Sequence, residues 1–131
     1  MSDEATPDLP ARIFTLEEAN ALVPTIEPLL VALRDANAAM EERGDDVMES
    51  VPTNGGGKVH KEFVDAAREA GRALDVLNGM GIVVRDPETG LIDFPAERGD
   101  EIVFLCWRLG EPHAIAWWHP TDAGFAGRQP L

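Results

Sequence analysis

Residues 81–110 read GIVVRDPETGLIDFPAERGDEIVFLCWRLG, and this stretch decides the fold. Ile82, Val83 and Val84 are β-branched and suit a pleated, half-buried surface. Asp86-Pro87-Glu88-Thr89-Gly90 is a turn. Pro87 presets its own φ, Asp86 can accept from the amides that follow, and Gly90 can take a positive φ. Leu91-Ile92-Asp93-Phe94 resumes the strand, and Pro95 is expected to end it. After a loop over Ala96–Asp100, Glu101–Leu109 forms a strong strand with two apolar faces. Val103, Leu105, Trp107 and Leu109 point one way; Ile102, Phe104 and Cys106 point the other. A strand covered on both sides belongs in the centre of a sheet. A tight turn at Gly110-Glu111 leads to a fourth strand, Ala114–His119, stopped by Pro120.

Upstream the period lengthens from two to between three and four. Thr15-Leu16-Glu17-Glu18 is a capping box. Leu16, Ala19, Leu22 or Val23, Ile26, Leu29 or Leu30, and Leu33 then form one helical stripe. Pro24 and Pro28 interrupt it, which predicts a short helix over 16–22 with a longer one behind it, or one kinked helix ending near Arg43. A second stripe, Val59, Phe63, Ala66 or Ala67, Ala70, Leu74 and Leu77, runs to a cap at Gly79. Between the helices, Gly55-Gly56-Gly57-Lys58 lacks the spacing, the following Ser or Thr and the preceding strand of a phosphate loop, and reads as linker.

The fold class is therefore α+β: an antiparallel helix hairpin, its first helix kinked, packed on a small antiparallel β-meander of about four strands. Residues 1–131 read as a single domain: 1–12 a flexible tail, 13–43 helical, 44–57 a loop, 58–79 a helix, 81–119 the meander, and 120–131 a docked tail too glycine-rich for regular structure.

Twenty-four Asp and Glu against 11 Lys and Arg leave a net charge of -13, which repels phosphates and anionic bilayers; neither nucleic acid nor membrane is expected as a partner. One cysteine cannot make an internal disulfide, and Met1–Pro10 lacks the basic and apolar regions of a signal peptide, so a cytoplasmic location is expected.

Phe14–Asn20, Arg85–Pro95, Leu105–Pro112, Trp118-His119 and Gly124–Arg128, in that order, resemble a small bacterial family known only as a domain of unknown function, number 2203. The resemblance spans nearly the whole chain and implies no activity. It implies that Asp93, Cys106, Glu111, His119 and Arg128 belong to the family pattern.

Candidate chemistry concentrates in the last fifty residues, which hold Cys106, Trp107, Trp117, Trp118, His113 and His119. Asp93, Cys106, Glu111, His113 and His119 are acceptable metal ligands, as are His60 and Glu62 on the second helix. A two-residue turn at Gly110-Glu111 would set Cys106 opposite Ile115 and Ile102 opposite His119. At ~3.4 Å per residue, Cys106 and His119 would then be roughly 10 Å or more apart, too far to share an ion. Cys106 and His113 would be diagonal neighbours, and Asp93 would reach His119 if the Ala96–Asp100 loop is tight. Cys106, mid-strand among apolar residues, reads as an inert buried thiol rather than a nucleophile. Glu111 is expected to pair with Arg108 or Arg128.

Two functions follow as expectations. The first is a non-catalytic binding module that self-associates as a homodimer and presents a ligand cleft of Trp107, Arg108, Glu111, Trp117, Trp118, Phe125 and Arg128 beside His119. The alternative is a divalent transition-metal site, or a metal-dependent enzyme, using His119 and Asp93 with His60 or Glu62.

Overall fold

The computed structural model describes residues 12–54 and 58–131, with side chains left out at 45–54 and 59. The tail expected over 1–12 thus lies outside the described residues except for Arg12, as does the glycine run 55–57. Helix α1 spans Leu16–Asn54 and α2 spans Lys58–Gly79. A five-stranded antiparallel sheet follows in the order β1 Val83–Asp86, β2 Leu91–Arg98, β3 Glu101–Arg108, β4 Trp117–Pro120 and β5 Gln129–Pro130. A 3₁₀ turn at Phe125–Gly127 precedes β5.

The capping box forms as its residues require. The Glu18 amide donates to Thr15 Oγ1 at 3.0 Å, and the Thr15 amide donates to the Glu18 carboxylate at 2.9 Å. Helix α1 then runs unbroken through Pro24 and Pro28. Each proline removes one ladder bond, from the carbonyls of Asn20 and Pro24, but both rings lie on the exposed side while Ala19, Val23, Ile26, Leu30 and Leu33 stay buried. The helix also continues through 44–54, where a loop was expected. Neither Gly44 nor the Asp45-Asp46 pair stops it, because no proline interrupts that stretch until Pro52, and α2 lies alongside: Arg43 Nε meets the Glu62 carboxylate at 3.1 Å. The buried stripe of α2 is Ala66, Ala70, Ala73 and Leu77; Leu16 and Leu74, placed in the stripes from spacing, are exposed.

β3 lies at the centre of the sheet, as its two apolar faces demand. Its Val103, Leu105 and Trp107 join Ile92, Phe94 and the helix stripes in one core. The expected fourth strand begins later, at Trp117, and the glycine-rich tail supplies a fifth, short strand.

Pro95 does not end β2, which continues to Arg98. The Pro95 carbonyl accepts from the Phe14 amide at 2.7 Å. In a strand a residue's carbonyl and amide point to the same side, so the missing amide faces the Phe14 side and the ladder to β3 is untouched. Gly99-Asp100 closes the next hairpin as a two-residue turn with Arg98 opposite Glu101. Gly99 has φ 66 and Asp100 does not share a positive φ, the pattern of a type II′ turn.

Candidate metal centre

Alternation along β2, β3 and β4 divides the sheet. Ile92, Phe94, Leu105, Trp107 and Trp118 face the helices. Asp93, Phe104, Cys106, Trp117 and His119 face away from them. Three of the outward residues converge on adjacent strands. Asp93 pairs with Cys106 across β2 and β3, and His119 pairs with Phe104 across β4 and β3, one step along from Cys106. One ligand atom from each of Asp93, Cys106 and His119 lies within 4.8 Å of the others. All three residues are 1% exposed.

The separation of Cys106 and His119 expected from the sequence is corrected here. Residues 109–116 do not form a two-residue turn, so β4 is shifted by two positions: Cys106 opposes Trp117 rather than Ile115. Side chains hold this longer connection open. The Trp107 indole donates to the Pro112 carbonyl at 2.8 Å, Glu111 accepts from the Arg108 amide at 2.9 Å, and the Ile115 amide donates to Asn20 Oδ1 on α1 at 2.8 Å. A shift of two keeps every side chain on its face. His113 is drawn to Glu27 of α1 at 2.9 Å and does not neighbour Cys106 as a ligand.

His119 meets an acceptor at each ring nitrogen. Nδ1 lies 2.8 Å from the Pro120 carbonyl, and Nε2 lies 3.0 Å from both Asp93 oxygens. A carbonyl can only accept, so Nδ1 carries a hydrogen. Nε2 then directs its lone pair at a carboxylate unless a cation stands between them, either a proton or a metal ion. Arg85 also donates to Asp93 Oδ2 at 2.7 Å, and its guanidinium lies 4.8 Å from the Phe104 ring. Phe104 in turn packs on the His119 imidazole with ring centres 5.5 Å apart. Burial, and after it the Asp93 charge, push the Cys106 thiol up to about 12, so it holds its proton at neutral pH. A buried protonated thiol is no nucleophile.

The tight Gly99-Asp100 turn does let Asp93 reach His119. His60 and Glu62 take no part: both sit on α2, on the other side of the sheet, where Glu62 pairs with Arg43. Cys106, set aside on spacing, belongs to the cluster in their place. The missing signal was the length of the 109–116 connection, which only tertiary bonds to α1 and Trp107 define.

The expected cleft residues are not gathered around one hollow. Trp107 is buried in the core and Trp118 also faces the helices. The rest group on the outer face. Arg128 makes a two-bond pair with Glu111 at 2.8 and 2.9 Å, and lies 4.9 Å from the Trp117 ring and 4.6 Å from Phe125. Arg108 stacks on Phe125 at 4.8 Å. Of the two partners open to Glu111, the carboxylate takes Arg128.

The fold and this site define an acidic α+β domain carrying a buried Asp–Cys–His cluster on the sheet face turned away from its helices. Residues 12–131 match the family described as uncharacterized conserved protein (DUF2203), and the chain belongs to it. No curated protein and no solved structure matches the chain. Among the described residues, no helix is long and apolar enough to cross a membrane.

Proposed function

We propose that this domain binds one divalent transition-metal ion, zinc by preference, through Asp93, Cys106 and His119. The observation that carries the reading is His119. With a hydrogen on Nδ1 committed to the Pro120 carbonyl, the contact of Nε2 with two carboxylate oxygens at 3.0 Å calls for a cation between them, a proton or a metal ion, and the Cys106 thiol within 4.8 Å supplies the third ligand that favours the metal. Zinc accepts nitrogen, oxygen and thiolate at about 2.0–2.3 Å, and tetrahedral ligands then stand roughly 3.3–3.7 Å apart. The His119–Asp93 contact has to open by a few tenths of an ångström and the Cys106 sulfur to close in. One carboxylate and one thiolate balance the two charges of the ion, and the Arg85 guanidinium already paired with Asp93 at 2.7 Å keeps its own charge toward solvent.

Cobalt(II) tests the reading, because a thiolate ligand gives it a charge-transfer band in the near ultraviolet. The reading requires one equivalent to be bound with that band. The band should vanish in Cys106→Ala while His119→Ala loses binding altogether. Failure of the wild-type chain to bind cobalt or zinc would refute it.

Self-association is a second proposal. Trp117, 36% exposed, and Phe125, 40% exposed, lie within one arginine-stacked patch and are the apolar surface a homodimer would cover. Sedimentation equilibrium tests it; a monomer at micromolar concentration, or a dimer indifferent to Trp117→Glu, sinks it.

A further inference from the structure

We infer, resting on the function proposed for Asp93, Cys106 and His119, that Arg85 is a positioning residue that decides which ions the centre takes. By holding Oδ2 of Asp93 it leaves the carboxylate one oxygen to offer, which favours zinc over ions that draw on both. β1 is built to deliver this side chain. Val84 opposes Ile92 and Asp86 opposes Leu91, so Arg85 is the extra residue of a β-bulge. The ladders of β2 with β3 and of β3 with β4 carry no such shift. Bulges re-aim side chains beside functional sites. Val83 pairs with Asp93 and Val84 packs against the core, so Arg85 emerges on the outer face beside the cluster.

The contacts of Arg85 reach two of the three ligands. Its Nε donates to Asp93 Oδ2 at 2.7 Å, a charge-assisted bond. Its guanidinium lies 4.8 Å from the Phe104 ring, and Phe104 packs on the His119 imidazole with ring centres 5.5 Å apart. The Arg85 side chain is 43% exposed and could leave its charge in water, yet its inner nitrogen meets a carboxylate that is 1% exposed. Outer partners of this kind fix the orientation of a ligating carboxylate, and losing one typically costs about 10–100-fold in metal affinity. With Oδ2 engaged by Arg85, Oδ1 is the oxygen left for an ion between Asp93 and His119 Nε2. Zinc takes one oxygen within a small tetrahedral set. Manganese and calcium collect about six or more oxygens, and gain from a carboxylate free to turn both toward them. The charge of Arg85 opposes every divalent ion alike, so it cancels when two ions are compared.

Arg85→Met keeps a stem to pack on Phe104 and has no donor. At a half-exposed position on an edge strand it leaves the core untouched. Cobalt(II) is loaded into the full chain of wild type and variant, and manganese is titrated in while the thiolate band is followed. The wild-type cobalt protein should show the intense visible bands of tetrahedral ligation. In Arg85→Met those bands should weaken as more oxygens gather. Half of its cobalt should leave at a manganese-to-cobalt ratio at least about tenfold lower than in the wild type. An Arg85 that merely held the fold would alter stability toward urea and leave both readouts alone. Weak visible bands in the wild type beside a clear thiolate band, or bands or a ratio unchanged in Arg85→Met, would overturn the role of Arg85 and leave the site standing. A wild type that binds no cobalt removes the site itself, and the role with it.

Discussion

Replacing Gly90 with alanine separates two costs that a neighbouring turn incurs singly. Gly90 ends the Asp86–Gly90 turn with φ 73, and Gly99 sits in the next turn with φ 66. Both are left-handed, where a Cβ costs roughly 1–2 kcal/mol. They differ in what a Cβ would meet. At Gly99 nothing lies within 4 Å; at Gly90 it would fall 2.5 Å from Leu109 Cγ and 3.0 Å from Leu109 Cβ. Leu109 is packed against the core, and the Leu109 amide donates to the Gly90 carbonyl at 3.2 Å, so the side chain cannot simply leave. Overpacking of this kind costs about 1–3 kcal/mol. Gly99→Ala should therefore lose ~1–2 kcal/mol and Gly90→Ala ~2–5 kcal/mol. Urea unfolding with unchanged slope measures both. In a Leu109→Ala background most of the excess at Gly90 should disappear, since the atoms beyond Cβ are gone. Equal losses at the two glycines, or an excess that survives removal of the Leu109 side chain, would refute the contact argument.

Other outcomes follow from the outer face. The folded protein holds Cys106 as a thiol with its ionisation raised from 9.0 to about 12, so its contribution to stability is full below pH 9 and is lost as pH climbs toward 12. Cys106→Ala should flatten that alkaline decline, and in the native wild type iodoacetamide should label the thiol only as fast as the protein opens. Glu111→Gln should cost about 2–4 kcal/mol in thermal unfolding, because Arg128, 10% exposed, keeps its charge among Trp117 and Phe125 without its carboxylate. Zinc binding should release the proton of the Cys106 thiol. Calorimetry in buffers of differing ionisation enthalpy detects it; a release of none would mean that the thiol does not become a ligand.

Much of the fold was legible because its signals are local. The capping box, the Asp86 turn, the period change after Gly79 and the two apolar faces of β3 each depend on residues within a few positions of one another. Pro95 misled because the cost of a strand proline depends on which way its missing amide points, and here it points away from the ladder to β3. Pro24 and Pro28 each give up a ladder bond on the exposed side of α1 without ending it. The Asp93–Cys106–His119 cluster is half legible: the sequence pairs Asp93 with His119 but sets Cys106 apart through a turn length that Asn20 on α1 and the Trp107 indole help to set. His60 and Glu62 shared the right chemistry with the cluster and lay on the wrong side of the sheet, a fact that composition and spacing do not carry.

The nitrogen resonances of His119 test the central claim most directly. On adding one equivalent of zinc, Nδ1 should keep its hydrogen while Nε2 moves to the position of a metal-bound nitrogen, with no such change in His60 or His113. If both nitrogens of His119 stay protonated and zinc leaves them unmoved, the cation between His119 and Asp93 is a proton, and the metal site does not exist.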